Sequence, residues 1–207
     1  MPDETKSMSK INALCVYCGS SPGTDPAFVA AAQDFGAILA KNGIRLIYGG
    51  GSVGMMGALA RAVIEHGGEV TGIIPEFLTR RERPKGMPQE LVVTTDMHAR
   101  KRAMFERADG FVALPGGLGT LEEVVEQMTW AQLGRHKKPI LLANIESYWD
   151  PLLALIDHMR AVKFVPSAFD VDVLVADRVD DILPQLRHAA RRVAEAEKAM
   201  AVPAERM

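Results

Sequence analysis

Short apolar runs alternate with helical patterns along most of this chain, and three of the runs end in turns of glycine or small hydroxylated residues. Residues 11–18, 44–48, 69–74, 110–114, 139–143 and 171–175 read as strands, and 92–94 adds a little extended chain. Between them, residues 27–41, 58–66, 97–107, 118–133, 150–159 and 180–198 carry helical spacing. Pro26 suits a first helical position, Asn42-Gly43 a C-cap, and Asp96 an N-cap. Strands alternating with helices, without an internal repeat, predict an α/β fold. It is a Rossmann-like, doubly wound parallel sheet with helices on both faces. One domain is expected over residues 11–198, with flexible tails at 1–10 and 199–207.

Ligands of such sheets bind beyond the carboxyl ends of the strands, where the strand order reverses. The three turns at 19–23, 49–57 and 115–120 are therefore expected to converge on one site. The turn Pro115-Gly116-Gly117-Leu118-Gly119-Thr120 lies between an apolar strand and a helix. It aims backbone N–H groups and the positive end of a helix at one point, which suits a phosphate. Thr120 can donate its hydroxyl to a phosphate oxygen. Glu122 and Glu123 follow within the first turns and point about 100° apart on a helix, so one of them is expected to face the ligand. They could equally serve only to complement the helix dipole. Gly49-Gly50-Gly51 lets a ligand approach the backbone closely, and Gly50, Gly51 and Ser20 are candidate contacts.

Other signals exclude more than they assign. The loop at 49–57 lacks the Lys of a P-loop. For a dinucleotide site, the ribose-binding acid would have to be Glu69, which begins a strand instead of ending one. A net charge of −2, from 24 basic and 26 acidic groups, does not describe a nucleic-acid-binding surface. The basic cluster Arg80, Arg81, Arg83 and Lys85 reads as a local loop. Cys15 and Cys18 have C-x-x-C spacing, but both lie in an apolar run and are read as structural, in keeping with a reducing cytoplasm. No metal is expected, because no His/Cys/Asp cluster has ligand spacing. Nor is a secretory leader or membrane span expected. Met55, Met56, Met97, Met104, Met128, Trp130 and Leu133 are candidates for core or for a surface between subunits.

Taken together, Gly49-Gly50-Gly51-x-x-Gly54-x-Met56-Gly57, Asp96-Met97-His98-x-Arg100-Lys101, Pro115-Gly116-Gly117-x-Gly119-Thr120-x-x-Glu123 and Met128-Thr129-Trp130-Ala131-Gln132-Leu133-Gly134 resemble the "lonely guy" (LOG) family. That family comprises cytokinin riboside 5′-monophosphate phosphoribohydrolases, long labelled possible lysine decarboxylases. The resemblance implies hydrolysis of the N-glycosidic bond of adenosine 5′-monophosphates, including N6-modified ones, to free base and ribose 5-phosphate. It implies a homodimer, no cofactor, and a nucleoside 5′-monophosphate as the small-molecule partner. Arg100 and Glu123 match the family's catalytic pair. Lys101, Gly116, Gly117, Gly119, Thr120, Glu122 and Thr129 match nucleotide-binding positions, and Glu82 matches a carboxylate on the base side. A pyridoxal-phosphate decarboxylase would need a Schiff-base Lys, for which Lys101 is the nearby candidate. The alternative from another class is a non-catalytic carrier of a nucleotide or phosphorylated cofactor, as in molybdenum-cofactor carriers of similar fold.

Overall fold

The computed structural model describes residues 10–79, 89–165 and 171–201. Seven strands form one sheet: β1 (Ala13–Tyr17), β2 (Arg45–Tyr48), β3 (Val70–Pro75), β4 (Glu90–Thr94), β5 (Gly110–Ala113), β6 (Ile140–Ala143) and β7 (Val173–Ala176). All pairs are parallel, in the order β4-β3-β2-β1-β5-β6-β7. The described α-helices are α1 (Pro26–Lys41), α2 (Gly54–Glu65), α3 (Met97–Arg107), α4 (Leu118–Gln132), α5 (Asp150–Ala161) and α6 (Val179–Ala201). None is long and apolar enough to cross a membrane.

Alternation along each strand divides the core between the two faces of the sheet. Leu14, Val16, Leu46, Tyr48, Val112 and Leu141 pack with Phe35 and Leu39 of α1, Leu59 and Val63 of α2 and Leu186 of α6. Ala13, Cys15, Tyr17, Ile47, Phe111 and Leu142 face the other way, toward Met104 of α3, Val124 of α4 and Trp149. Burying an aliphatic or aromatic side chain of this size contributes about 1.5–3 kcal/mol, so each face is a strong constraint on register. Asp25 caps α1 by accepting from the Ala27 N–H at 2.9 Å, with Pro26 at the first helical position. Asp96 caps α3 as its position in the sequence predicts, accepting from the Ala99 N–H at 2.8 Å. That bond holds the Asp96 carboxyl below its usual range.

Three boundaries depart from expectation. Helix α2 begins at Gly54, not at residue 58, because the glycines that suggest a loop are there to let backbones touch. Residues 90–94 form a full edge strand beside β3, not just a little extended chain. Helix α6 continues to Ala201. Met55, Met56 and Met104 are buried core residues, which removes them from any surface between subunits.

Candidate active site

The sheet order reverses between β1 and β5, and the three glycine-bearing turns meet at the carboxyl edge of that seam. The Gly19 N–H donates to the Pro115 carbonyl at 3.1 Å, and the Met56 N–H donates to the Gly19 carbonyl at 3.2 Å. A β-carbon on Gly54 would collide with the Ser20 carbonyl, and one on Gly57 with the Ser52 carbonyl. Gly50 and Gly51 are buried, the first against Ile74 and Leu91 and the second against Met56, whereas Ser20 is exposed.

The β5–α4 turn is built differently. Gly117 is the N-cap of α4 and offers no side-chain cap. The first helical amide to close on a carbonyl is Leu121, onto Gly117 at 3.0 Å. The amides before it have no acceptor within the helix. Gly117 and Gly119 are exposed, and a β-carbon on either would meet nothing within 4 Å. Thr120 is buried beneath Gly116, where any side chain at 116 would overlap its Oγ1.

Beside this corner, α3 and α4 exchange charge. Arg100 donates from Nε to the Ile73 carbonyl at 3.0 Å, and its Nη1 lies 3.0 Å from Glu123 Oε1. A β-carbon at Gly49 would collide with Nη2, so that glycine makes room for the guanidinium. Arg100 and Glu123 are both buried, at 8% exposure each. Their contact is an ion pair without hydrogen-bond alignment, and Glu123 Oε1 accepts no hydrogen bond. Burial pushes the Glu123 carboxyl up to about 7, opposed by Arg100 and Lys101 and reinforced by Glu122 and Glu126. Lys101 Nζ sits 2.6 Å from Glu122 and 2.9 Å from Glu126. Burial pulls its pKa down, but those two carboxylates outweigh the pull and leave it raised.

Arg100, Lys101, Glu122, Glu123 and the 116–120 turn therefore share one region. Thr129 stands apart, about 13 Å along the axis from Thr120. Its hydroxyl donates to the Val125 carbonyl at 2.9 Å, and it lines an apolar groove of about 590 Å³ beside α4 and α5. Glu82 and the basic cluster around it lie outside the described residues. Glu69 is at the opposite edge of the sheet, paired with Arg45, which rules it out as a ribose-binding acid here. Cys15 and Cys18 are free thiols on opposite faces of the sheet, so the C-x-x-C spacing makes no pair. Burial pushes both thiols well up.

One supporting element gives no signal in the sequence. The turn after β6 holds Glu146 at φ 51° and Ser147 at φ 57°, left-handed conformations that cost non-glycine residues of order 1 kcal/mol each. Asn144 braces it, accepting from the Trp149 N–H at 2.7 Å and donating to Asp150 and Asp177. Trp149 Nε1 donates to the Ala113 carbonyl at 3.1 Å, and the Tyr148 hydroxyl donates to the Gly116 carbonyl. The two aromatics thus grip the β5–α4 turn at both ends.

The family model described as "possible lysine decarboxylase" matches residues 56–186. The cytokinin riboside 5′-monophosphate phosphoribohydrolase LOG1 of Arabidopsis thaliana is 47% identical over 191 residues, spanning 89% of this chain and 90% of the relative. This chain belongs to the LOG family. A probable cytokinin riboside 5′-monophosphate phosphoribohydrolase of Oryza sativa subsp. japonica, LOGL1, is 41% identical, covering 88% of this chain and 82% of its own. Among solved structures, the molybdenum cofactor binding protein of Rippkaea orientalis superposes with a TM-score of 0.65 at 22% identity, covering 86% of this chain and 97% of that one. At that identity the likeness shows the fold that the LOG family shares, and nothing of chemistry.

Proposed function

We infer that this protein hydrolyses the N-glycosidic bond of adenosine 5′-monophosphates, N6-modified ones included, releasing the free base and ribose 5-phosphate. The observation that carries the site reading is the buried Arg100–Glu123 pair beside the uncapped amide end of α4. Relatives named as phosphoribohydrolases at 41–47% identity support the reaction. A carrier reading has only the fold-level likeness behind it.

Breaking C1′–N9 sends the bonding electrons to the base and builds positive charge on the ribose, as in glycoside hydrolysis. In our assignment the amides of residues 117–120 and the Thr120 hydroxyl hold the 5′-phosphate. Lys101 supplies a further positive charge, Gly117 and Gly119 keep the approach clear, and Gly116 makes room for Thr120 beneath the turn. Glu123, when ionised, faces C1′, stabilises the cationic sugar and takes a proton from the attacking water. That water adds its oxygen to C1′, and the base leaves with the electron pair of the broken bond and takes one proton from solvent. Glu123 returns the proton it took to solvent, so that the sum is one water consumed. Arg100 holds Glu123 in place and stabilises developing negative charge; a guanidinium stays protonated in proteins and serves here as a fixed charge, not as an acid. Glu122 orients Lys101, while Ser20, Gly50 and Gly51 form the opposing wall. Thr129 and Glu82 remain ligand contacts by family likeness alone.

We further propose a cytoplasmic homodimer. Leu118 and Phe164 are 85% and 83% exposed, and the apolar groove at α4 and α5 gives a second subunit a surface to cover. Buried free thiols suit a reducing compartment. Light scattering of the purified protein tests the dimer, and a monomeric mass ends it.

The deciding experiment is base release from AMP and from isopentenyladenosine monophosphate, with Glu123→Gln and Arg100→Lys measured alongside. We expect each variant to lose about a hundredfold or more in kcat. Rates near wild type for both would sink the site assignment, and tight nucleotide binding without turnover by the wild type would favour a carrier.

A further inference from the structure

We propose that Tyr148 is a positioning residue that sets the backbone of the 116–117 turn and so makes the site select phosphorylated over unphosphorylated ligands. The inference rests on the nucleotide-hydrolase reading for its substrate, but not for its geometry.

Gly116 and Gly117 are consecutive, and glycine loses more conformational freedom on ordering than any other residue. The peptide joining them has no side chain at either end to fix its orientation. Its orientation matters, because a peptide that turns its carbonyl toward an anion repels it, whereas one that turns its N–H attracts it. In a trans peptide the C=O and N–H point in opposite directions. The Tyr148 hydroxyl donates to the Gly116 carbonyl and fixes that oxygen on the tyrosine side. The Gly117 N–H is thereby held on the far side, as the first of the donor series that continues into the uncapped amides of α4.

The phenol is itself held firmly. Its ring makes edge contacts with Phe28 of α1, at 5.5 Å between centroids, and with Trp149 at 5.0 Å. Phe28 in turn packs where a side chain on Gly23 would stand, which links the clamp to the β1–α1 turn. Upstream, Glu146 and Ser147 keep left-handed backbone in a turn that Asn144 pins. Strain of that kind persists where the surrounding structure over-determines it, and here it delivers Tyr148 and Trp149 to carbonyls on either side of Leu114 and Pro115.

Tyr148→Phe removes one oxygen and keeps both ring contacts. We would measure calorimetric binding of ribose 5-phosphate, AMP kinetics and thermal unfolding for the wild type and the variant. The expected result is a roughly tenfold rise in both the ribose 5-phosphate Kd and the AMP KM, about the worth of one hydrogen bond. The kcat and Tm should stay close to wild type. Unchanged ribose 5-phosphate affinity overturns the proposal, as does a loss confined to kcat. A wild-type protein that binds no ribose 5-phosphate overturns it too. If the wild type binds ribose 5-phosphate but releases no base, the hydrolase reading fails alone, and the Kd comparison still decides the role of Tyr148.

Discussion

The two glycine turns look alike in sequence and do opposite work. In the 49–57 turn the missing side chains are replaced by protein: Arg100 and Met56 over Gly49, Met56 over Gly51, the Ser20 carbonyl over Gly54 and the Ser52 carbonyl over Gly57. Gly50 and Gly54 also hold φ of 79° and 60°, which side chains resist. In the 115–120 turn, Gly117 and Gly119 face open space and have φ values that any residue accepts. The first turn is glycine-rich so that the protein can touch itself. In the second, Gly116 likewise makes room for Thr120, but Gly117 and Gly119 stand where only a ligand would object to a side chain. Composition alone cannot separate these uses, but the surroundings of each α-carbon do.

Substitutions sharpen the contrast. Gly57→Ala should have the largest effect, because its β-carbon meets backbone that cannot swing aside. We expect a loss of roughly 3 kcal/mol or more, in the range of overpacked or strained sites, read by urea unfolding. A variant as stable as the wild type would break the argument. Gly49→Ala comes next. It displaces the buried Arg100 guanidinium, so activity should fall by about a hundredfold, with a smaller loss of stability, on the scale of removing one preorganised charged group. Preserved activity would show that Arg100 does not need its place against Gly49.

The third test is titration. Glu123 must be ionised to act in the proposed way, and its carboxyl is raised to about 7. In the free enzyme kcat/KM should therefore climb as pH rises through about 7 and level off above it, giving an acid limb that Glu123→Gln abolishes. Stability runs the other way. Folding raises this pKa, so the folded state holds the proton more tightly than the unfolded chain does. The stabilisation is full below the unfolded carboxylate range and is lost as pH rises toward 7 and above. Relative to Glu123→Gln, the wild type should lose on the order of 1–3 kcal/mol between pH 4.5 and pH 8. A pH-independent difference would mean that Glu123 is not held as described. The smallest effect belongs to Gly119→Ala, which should leave the fold intact or stabilise it by about 0.5–1 kcal/mol as a better helix former. It should weaken AMP binding if the phosphate approaches this backbone, and unchanged KM would argue that it does not.

Much of this was legible in the sequence, for identifiable reasons. Strand–turn–helix alternation carries its own period, so the parallel sheet, the capping of α3 by Asp96 and the meeting of three turns could be anticipated. The family motifs put Arg100 with Glu123, and the two are adjacent in space. What stayed hidden depends on contacts between distant segments. The pairing of Lys101 with both Glu122 and Glu126 comes from the docking of α3 on α4, which no local spacing encodes. Glu146 and Ser147 carry no glycine signal for their left-handed backbone, so the turn that presents Tyr148 and Trp149 could not be seen. Met56 and Met104 read equally as core or surface until the sheet placed them inside.

The strand order has a consequence for how the molecule comes into being. β1 sits between β2 and β5, so the seam that carries the site joins the first part of the chain to a strand made only after β2, β3 and β4. Pairings between such distant segments are slow to form, because loop-closure entropy must be met before the contact rewards it. A growing chain therefore has no competent pocket until β5 docks, and whatever the pocket grips in the finished protein acts as a bolt across that late joint, retarding its reopening more than it hastens its closing.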